Sequence, residues 1–301
     1  MITGALVSIV LPCYNGAAHL AASIESCIAQ TYQDWELIIV NDCSTDNSLQ
    51  IMREYEYQDN RIHVINNGKN LKLPGALNRG FAEAKGQYLT WTSHDNHMAP
   101  TMLEEMVDYL NNHLEIGLVT SNYAAFSLKT GEHLYEVSMP DPQKFLPHHN
   151  TICYAFMYRR EVMDTIGGYD ENLFLIEDYE YWVRIWLHFQ IGKIDKVLYY
   201  TGVGDTTLTL SRKKEIAQKL LEVRLMYFED FDKALKPTPI LQRDFYISIA
   251  NELPFFKRQI FVIKCIFKSP IDFGVYYLFW YAPKRFFKKF DFYKKFRSWI
   301  K

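Results

Sequence analysis

The sequence predicts an α/β protein: a mainly parallel mixed sheet covered by helices on both faces, followed by a helical C-terminal region. Two observations predict it. Short β-branched apolar runs alternate with segments of helical spacing from Val7 to Phe126, and strands joined by crossover helices pair in parallel. After Ser211 the apolar period turns helical. We place the α/β domain at residues 1–210 and a helical, basic and aromatic region at 211–301.

Val7-Ser-Ile-Val-Leu-Pro12 reads as a buried strand, and Leu20, Ile24, Cys27 and Ile28 then recur at helical spacing. Trp35 to Asn41 is a second buried strand. Ser44 to Ser48 is a turn or helix cap, with Asp46 in the capping role, leading into a helix from Leu49 to about Glu56. Ile62 to Ile65 is a third strand. Pro74 to Ala84 is a helix with Pro near its start and Gly86 just past its end. Tyr88 to Thr92 and Ile116 to Phe126 are strands flanking a helix over Pro100 to Asn111. Beyond these the spacing predicts a strand over Cys153 to Tyr158, a helix over Tyr179 to Phe189, and a strand over Lys193 to Tyr200. Ligands on parallel sheets bind beyond the carboxyl ends of the strands. Three polar stretches lie there: Pro12 to Asn15, Asn41 to Asp46, and Ser93 to Asn96.

Bulk properties narrow the function. With 301 residues, 49% apolar and 23% charged, and a net charge of -2, the chain has no global pull toward nucleic acid. Cys13, Cys27, Cys43, Cys153 and Cys265 show no CxxC spacing, so neither a zinc knuckle nor a redox motif is indicated. Such cysteines fit a reducing compartment. Met1 to Leu6 is short and uncharged for a signal peptide, and no apolar run reaches the roughly 18–20 residues of a spanning helix. These features make the cytoplasm the expected location. The GxGxxG and GxxxxGK[ST] patterns are absent, which disfavours a dehydrogenase and a P-loop NTPase.

The run Val7-Ser-Ile-Val-Leu-Pro-Cys-Tyr-Asn15, then Ile28-Ala-Gln-Thr-Tyr32, then Glu36-Leu-Ile-Ile-Val-Asn-Asp-Cys-Ser-Thr-Asp46 resembles the opening of family 2 glycosyltransferases. The resemblance extends over about residues 6 to 210. It implies the GT-A fold, an inverting sugar transfer of the bacterial polysaccharide type, and a nucleotide-sugar donor. It also implies that Pro12, Tyr14, Asn15 and Asp42 hold the nucleotide, with Lys72 and Asn78 on the segment crossing toward the site. The chemistry is compatible, because a carboxylate accepts the uracil imide N–H. The plainer role for Asp42 is turn formation, and for Lys72 a solvated surface lysine.

Ser93-His-Asp-Asn96 sits where that family carries an Asp-x-Asp motif. The resemblance assigns Asp95 to a Mn²⁺ or Mg²⁺ ion that neutralises the leaving diphosphate; such ions take one or two carboxylates plus phosphate oxygens and water. Ser93 replaces the first acid, so the motif keeps one carboxylate, and His94 is expected as a solvated loop residue. Glu177-Asp178-Tyr-Glu-Tyr-Trp182 resembles the family's Glu-Asp motif. By that resemblance Asp178 is the base that takes the acceptor proton and Glu177 its neighbour. Adjacent carboxylates raise one another's pKa, and a helix start favours acids in any case. Ile166-Gly-Gly-Tyr-Asp170 also matches the family. Trp182 is expected to pack and Arg184 to form a salt bridge. The loop Thr201-Gly-Val-Gly-Asp-Thr-Thr207 lacks the Arg and His that the family often carries there. His148 and His149 could line the acceptor site or simply be exposed.

From Phe255 to Lys301 basic residues interleave with Phe, Tyr and Trp. Aromatic rings settle at headgroup depth and Lys or Arg attract anionic lipid. We expect this tail to meet the inner face of the plasma membrane, which suits a lipid-linked or glycan acceptor; a helical cap or dimer contact is the plainer reading. Two other functions stay open. A nucleotidyltransferase normally opens with a Gly-rich basic phosphate loop, whereas Pro12-Cys-Tyr-Asn-Gly16 has one Gly and no basic residue. A catalytically silent nucleotide-sugar-binding protein accommodates Ser93 and the altered 201–207 loop.

Overall fold

A computed structural model describes residues 5–152, 154–204 and 207–268. Its elements in chain order are β1 (Val7–Cys13), α1 (Leu20–Ile28), β2 (Trp35–Asn41), α2 (Ser48–Gln58), β3 (Ile62–Asn66), α3 (Lys72–Phe81), β4 (Tyr88–Trp91) and β5 (His97–Met98). Then follow α4 (Met102–Asn112), β6 (Ile116–Ser127), β7 (His133–Val137), α5 (Pro142–Phe145), β8 (Phe156–Arg159), α6 (Arg160–Ile166), α7 (Glu177–His188) and β9 (Gln190–Val203). Helices α8 (Leu208–Ser211), α9 (Lys213–Met226), α10 (Phe228–Leu235), α11 (Pro239–Glu252) and α12 (Phe255–Lys268) complete the described part.

Among the described residues nine strands form one mixed sheet in the order β3-β2-β1-β4-β8-β6-β9-β5, with β7 paired to β6. β3, β2, β1 and β4 are mutually parallel; β8 runs antiparallel to both β4 and β6. β9 returns parallel to β6, and β5 is antiparallel to β9. This is an α/β fold with a mainly parallel mixed sheet and helices toward the C-terminus, as the alternation of strands and helices predicts.

Every residue of β1 and β2 is buried. Continuous apolar runs do this because both faces of a central parallel strand are covered. Leu20, Ile24 and Cys27 of α1 and Met102, Leu103, Met106, Val107 and Leu110 of α4 close the core on one side. Ser8 and Glu36 within these strands pair with each other, as burial of polar groups demands. Ser8 Oγ donates to Glu36 Oε1 at 2.6 Å, and the same carboxylate oxygen accepts Lys85 N–H at 2.6 Å.

By contact the chain divides into two compact units, residues 1–220 and 221–301. In the second unit Phe228, Phe231, Phe245 and Phe261 pack ring against ring, with centroids 5.3–5.8 Å apart. Arg224 is 1% exposed there, paired with Glu252 at 2.7 Å and with Ser248; removing one partner of such a buried charge is strongly destabilising. The expected tail surface falls mostly on residues 269–301, outside the described residues. Among the described residues no helix is long and apolar enough to cross a membrane.

Candidate active site at the carboxyl rim of the sheet

Because β1, β2 and β4 are parallel neighbours, the loops that follow them share one rim of the sheet. Asp42 follows β2 directly and is 3% exposed. Its N–H donates to Cys13 O at 2.9 Å, joining it to the end of β1. Its Oδ1 accepts Asn67 Nδ2 at 2.9 Å and Leu71 N at 2.8 Å. Among the described residues no donor reaches Oδ2, so that oxygen is the one available to a ligand. Pro12 is buried in β1, and Tyr14, half exposed, opens the loop beyond it.

Asn15 and Asp46 lash the first two rim loops together. Asn15 Oδ1 accepts Thr45 N at 2.7 Å, and Asn15 N donates to Ser44 Oγ at 3.0 Å. Asp46 accepts Ala17 N and Ser48 N, both at 3.0 Å. Asp46 therefore does the work of a cap one residue before the helix boundary, and also braces the neighbouring loop. Asn15 thus spends its amide oxygen on the Thr45 backbone, while Tyr14 beside it stays half exposed.

Lys72 begins α3, exposed, with Nζ 5.4 Å from the ring centre of Phe174. Asn78 lies elsewhere on α3 and clamps the turn before α7. Its Nδ2 donates to Tyr169 O at 2.9 Å and its Oδ1 accepts Tyr169 N at 2.8 Å. Both ends of this amide thus meet the Tyr169 backbone, and Nδ2 also donates to Glu171 Oε1 at 3.2 Å, which clamps the segment before α7.

Ser93 to Asn96 follows β4. Ser93 Oγ donates to Asp95 Oδ1 at 2.6 Å, and Asn96 Nδ2 donates to Ser93 Oγ at 2.7 Å. His94 is not the solvated loop residue expected. It is half-buried against Gly16, where an added Cβ would come within 2.5 Å of the imidazole Cδ2. Burial pushes its pKa below the usual value. Among the described residues no three His, Cys, Asp or Glu side chains group to hold a cation. The donor set still fits a hard divalent ion whose remaining ligands are phosphate and water oxygens. Asp95 offers a carboxylate oxygen, Oδ2, that no described donor reaches.

Glu177 and Asp178 open α7. Tyr179 N–H donates to Asp178 Oδ1 at 2.6 Å, and Asn150 Nδ2 donates to Oδ2 at 3.1 Å. Burial raises the Asp178 pKa to about 6, against these two bonds. Glu177 is 4% exposed and its Oε2 has no hydrogen-bond partner. Burial, then the Asp178 charge, push its pKa up to about 8. Both carboxyl groups are thus shifted toward the protonated form, Glu177 further than Asp178. Trp91 Nε1 at the end of β4 donates to the Tyr169 hydroxyl at 3.0 Å, and Tyr169 stacks on Tyr181 of α7 with centroids 4.1 Å apart, which ties the rim to the helix that this pair opens.

Trp182 is fully buried against Phe156, with centroids 4.5 Å apart. Arg184 pairs with Glu180 at 2.8 Å and also donates to Ile166 O and Gly168 O. His148 is half-buried and His149 exposed. Sequence reasoning misses Asn67, Asn96 and Asn150, each of which meets a site carboxylate directly or through one side chain. Only Asn96 lies inside a motif the sequence singles out. Among the described residues four non-glycine positions have left-handed backbone: Asn15 (φ 53°), Cys43 (φ 67°), Lys72 (φ 61°) and Leu175 (φ 82°). Each adjoins one of the segments just described.

The chain is 32% identical to the putative glycosyltransferase EpsE of Bacillus subtilis over 191 residues, 61% of this chain and 68% of that protein. It is 31% identical to an uncharacterized glycosyltransferase of Methanocaldococcus jannaschii over 225 residues, 71% of this chain and 76% of that one. Among solved structures, S. aureus TarS 1-349 in complex with UDP matches with a TM-score of 0.58 at 17% identity, covering 90% of each chain. The mannosyltransferase PcManGT from Pyrobaculum calidifontis, in complex with GDP-Man and Mn²⁺, matches with a TM-score of 0.61 at 16% identity, covering 98% of this chain and 83% of that one. At these identities the two structures establish the shared fold. The sequence profile described as "Glycosyl transferase family 2" matches residues 8–167, more than half of the 301-residue chain, and the chain belongs to that family.

Proposed function

We propose that this protein is an inverting hexosyltransferase. It moves a sugar from a nucleotide-diphosphate donor, a UDP-sugar before others, to a hydroxyl of a glycan or lipid-linked acceptor in polysaccharide biosynthesis. The observation that carries the reading is the Glu177–Asp178 pair. Asp178 is a buried carboxylate held by Asn150 and by the Tyr179 amide, with its pKa raised to about 6. A general base works best when its pKa lies near the working pH.

In the proposed reaction Asp178 accepts the proton of the acceptor hydroxyl. The hydroxyl oxygen attacks the anomeric carbon as the bond from that carbon to the diphosphate oxygen breaks. The electron pair leaves with the nucleoside diphosphate, and direct displacement inverts the centre. Glu177, its pKa raised by burial and by the Asp178 charge, resists placing a second charge beside the base. Tyr14, Pro12 and Asp42 form the nucleotide end, with Lys72 toward the diphosphate; UDP comes first because a carboxylate oxygen such as Asp42 Oδ2 accepts an imide N–H. A Mn²⁺ or Mg²⁺ held by Asp95, when bound, supplies charge neutralisation for the leaving diphosphate. The solved TarS structures with UDP and UDP-GlcNAc, and PcManGT with GDP-Man and Mn²⁺, support the donor class. We place catalysis within residues 1–210 and assign 211–301 to a helical region whose basic, aromatic tail meets anionic lipid on the cytoplasmic face.

Calorimetry with UDP-, GDP-, CDP- and TDP-sugars, with and without Mn²⁺, tests the proposal on wild type, Asp95→Ala and Asp178→Asn. One nucleotide class should bind with metal, weaken in Asp95→Ala, and bind unchanged but without turnover in Asp178→Asn. Binding without turnover by the wild type across acceptors would favour the silent binding protein that Ser93 admits. Absence of binding would end both readings.

A further inference from the structure

We propose that Asn96 is a positioning residue that fixes Asp95 through Ser93, and that this one-carboxylate site takes a divalent cation only together with the donor's diphosphate. The inference rests on the glycosyl-transfer reading above and concerns how this chain works without the first acid of its motif.

The direction of each hydrogen bond follows from the one before. Asn96 is 6% exposed. Its Oδ1 accepts Gly202 N at 2.9 Å and Thr201 Oγ1 at 3.2 Å, both at the end of β9. A backbone N–H can only donate, so the amide oxygen faces β9 and the NH₂ must face the other way. That NH₂ donates to Ser93 Oγ at 2.7 Å. With this bond accepted, the single Ser93 proton goes to Asp95 Oδ1, 2.6 Å away. The turn beneath is fixed too: Ser23 Oγ donates to Ser93 O at 2.8 Å. At Gly202 an added Cβ would lie 2.3 Å from Asp95 O, so β9 presses directly on the backbone of Asp95.

Asp95 therefore keeps a permanent donor on Oδ1 and presents Oδ2. A hydroxyl stands where a second carboxylate would add charge. Mg²⁺ and Mn²⁺ dehydrate reluctantly and are bound through carboxylates and substrate phosphates together. One preset carboxylate oxygen gives weak capture of the bare ion and good capture of the ion on a diphosphate. Linkage then requires UDP and Mn²⁺ to tighten each other by the same factor.

Electron paramagnetic resonance of free Mn²⁺ over the full-length protein, with and without UDP and with a protein-free Mn²⁺–UDP control, tests this. Wild type should hold Mn²⁺ at least about tenfold more tightly with UDP than alone. A hydrogen bond to a charged group sets the scale for the variants. Ser93→Ala should lose about tenfold of the UDP-assisted affinity, and Ser93→Thr should retain it. Asn96→Ala should lose as much as Ser93→Ala, and the double variant no more than either, because both break one relay. Ser93→Asp should gain affinity for Mn²⁺ without UDP. If Asn96→Ala fails to fold, the three Ser93 variants decide. Equal Mn²⁺ affinity with and without UDP, or wild-type affinity in Ser93→Ala, would overturn the inference while leaving glycosyl transfer standing. Absence of UDP binding under all conditions would overturn the glycosyl-transfer reading and this one with it.

Discussion

Replacing Glu177 with Gln should stabilise the protein, and by an amount that depends on pH. Glu177 is 4% exposed and its Oε2 has no partner, while burial and the Asp178 charge raise its pKa from 4.5 to about 8. A raised carboxyl pKa means that the folded state holds a proton the unfolded state releases. Stability from this group is then fully present below pH 4.5 and falls as pH rises toward 8. At pH 7 the difference amounts to about 3 kcal/mol, from roughly 1.4 kcal/mol for each pH unit above the unfolded pKa. Gln keeps the shape of the neutral acid and does not titrate. Sharing of charge with Asp178 reduces the gain, so we expect about 1–3 kcal/mol at pH 7–8, closing to nothing near pH 4.5. In a unit of this size that is a rise in melting temperature of about 3–10 °C. Thermal unfolding of both proteins followed by circular dichroism at half-unit pH steps measures it. A difference that does not change with pH, or a variant less stable at pH 8, would refute the reasoning.

Three further outcomes are expected. Asp178→Asn should lower kcat by about 10²–10⁴-fold with the donor Kd unchanged; in the wild type, kcat should fall below about pH 6 as Asp178 takes up its proton, a limb visible in a pH–rate profile. Asn150→Ala removes a bond that holds the Asp178 pKa down, so the same profile should move to higher pH. Asn78→Ala should cost about 1–3 kcal/mol of stability in urea unfolding by freeing the Tyr169 backbone, while calorimetric donor affinity stays at the wild-type value; a lost donor affinity with unchanged stability would instead restore Asn78 to the nucleotide site.

The central strands were legible because β1 and β2 are dominated by apolar residues and buried along their whole length, the pattern that cover on both faces imposes. β5 and β7 were not. β5 has two residues, and His133–Val137 is mostly exposed, so neither leaves an apolar signature. Helix α5 did carry a start signal, Asp141 accepting Gln143 N ahead of Pro142, but within a stretch that otherwise reads as irregular. The acids of the site stood out because each follows a strand or opens a helix. Their partners did not: Asn150 meets Asp178 across 28 residues, and Asn78 meets Tyr169 across 91. Contacts that distant in sequence are properties of the sheet order, which no local pattern encodes. Asn78 shows the consequence: its partners, the Tyr169 backbone and the Glu171 carboxylate, lie 91 and 93 residues further along the chain.

The left-handed residues at the rim set up a conflict between robustness and turnover. An L-residue in this region costs roughly 1–2 kcal/mol that glycine avoids. Cys43, Lys72 and Leu175 all adopt it, beside Asp42, at the start of α3 and just before Glu177. Selection for heat resistance alone would drift these positions toward glycine, and each gain would soften a loop whose placement the chemistry needs. The same disfavoured backbone makes the rim the natural starting point for native-state opening. Amide exchange should therefore begin at the loops around 43, 72 and 175, while β1 and β2 beneath them exchange last.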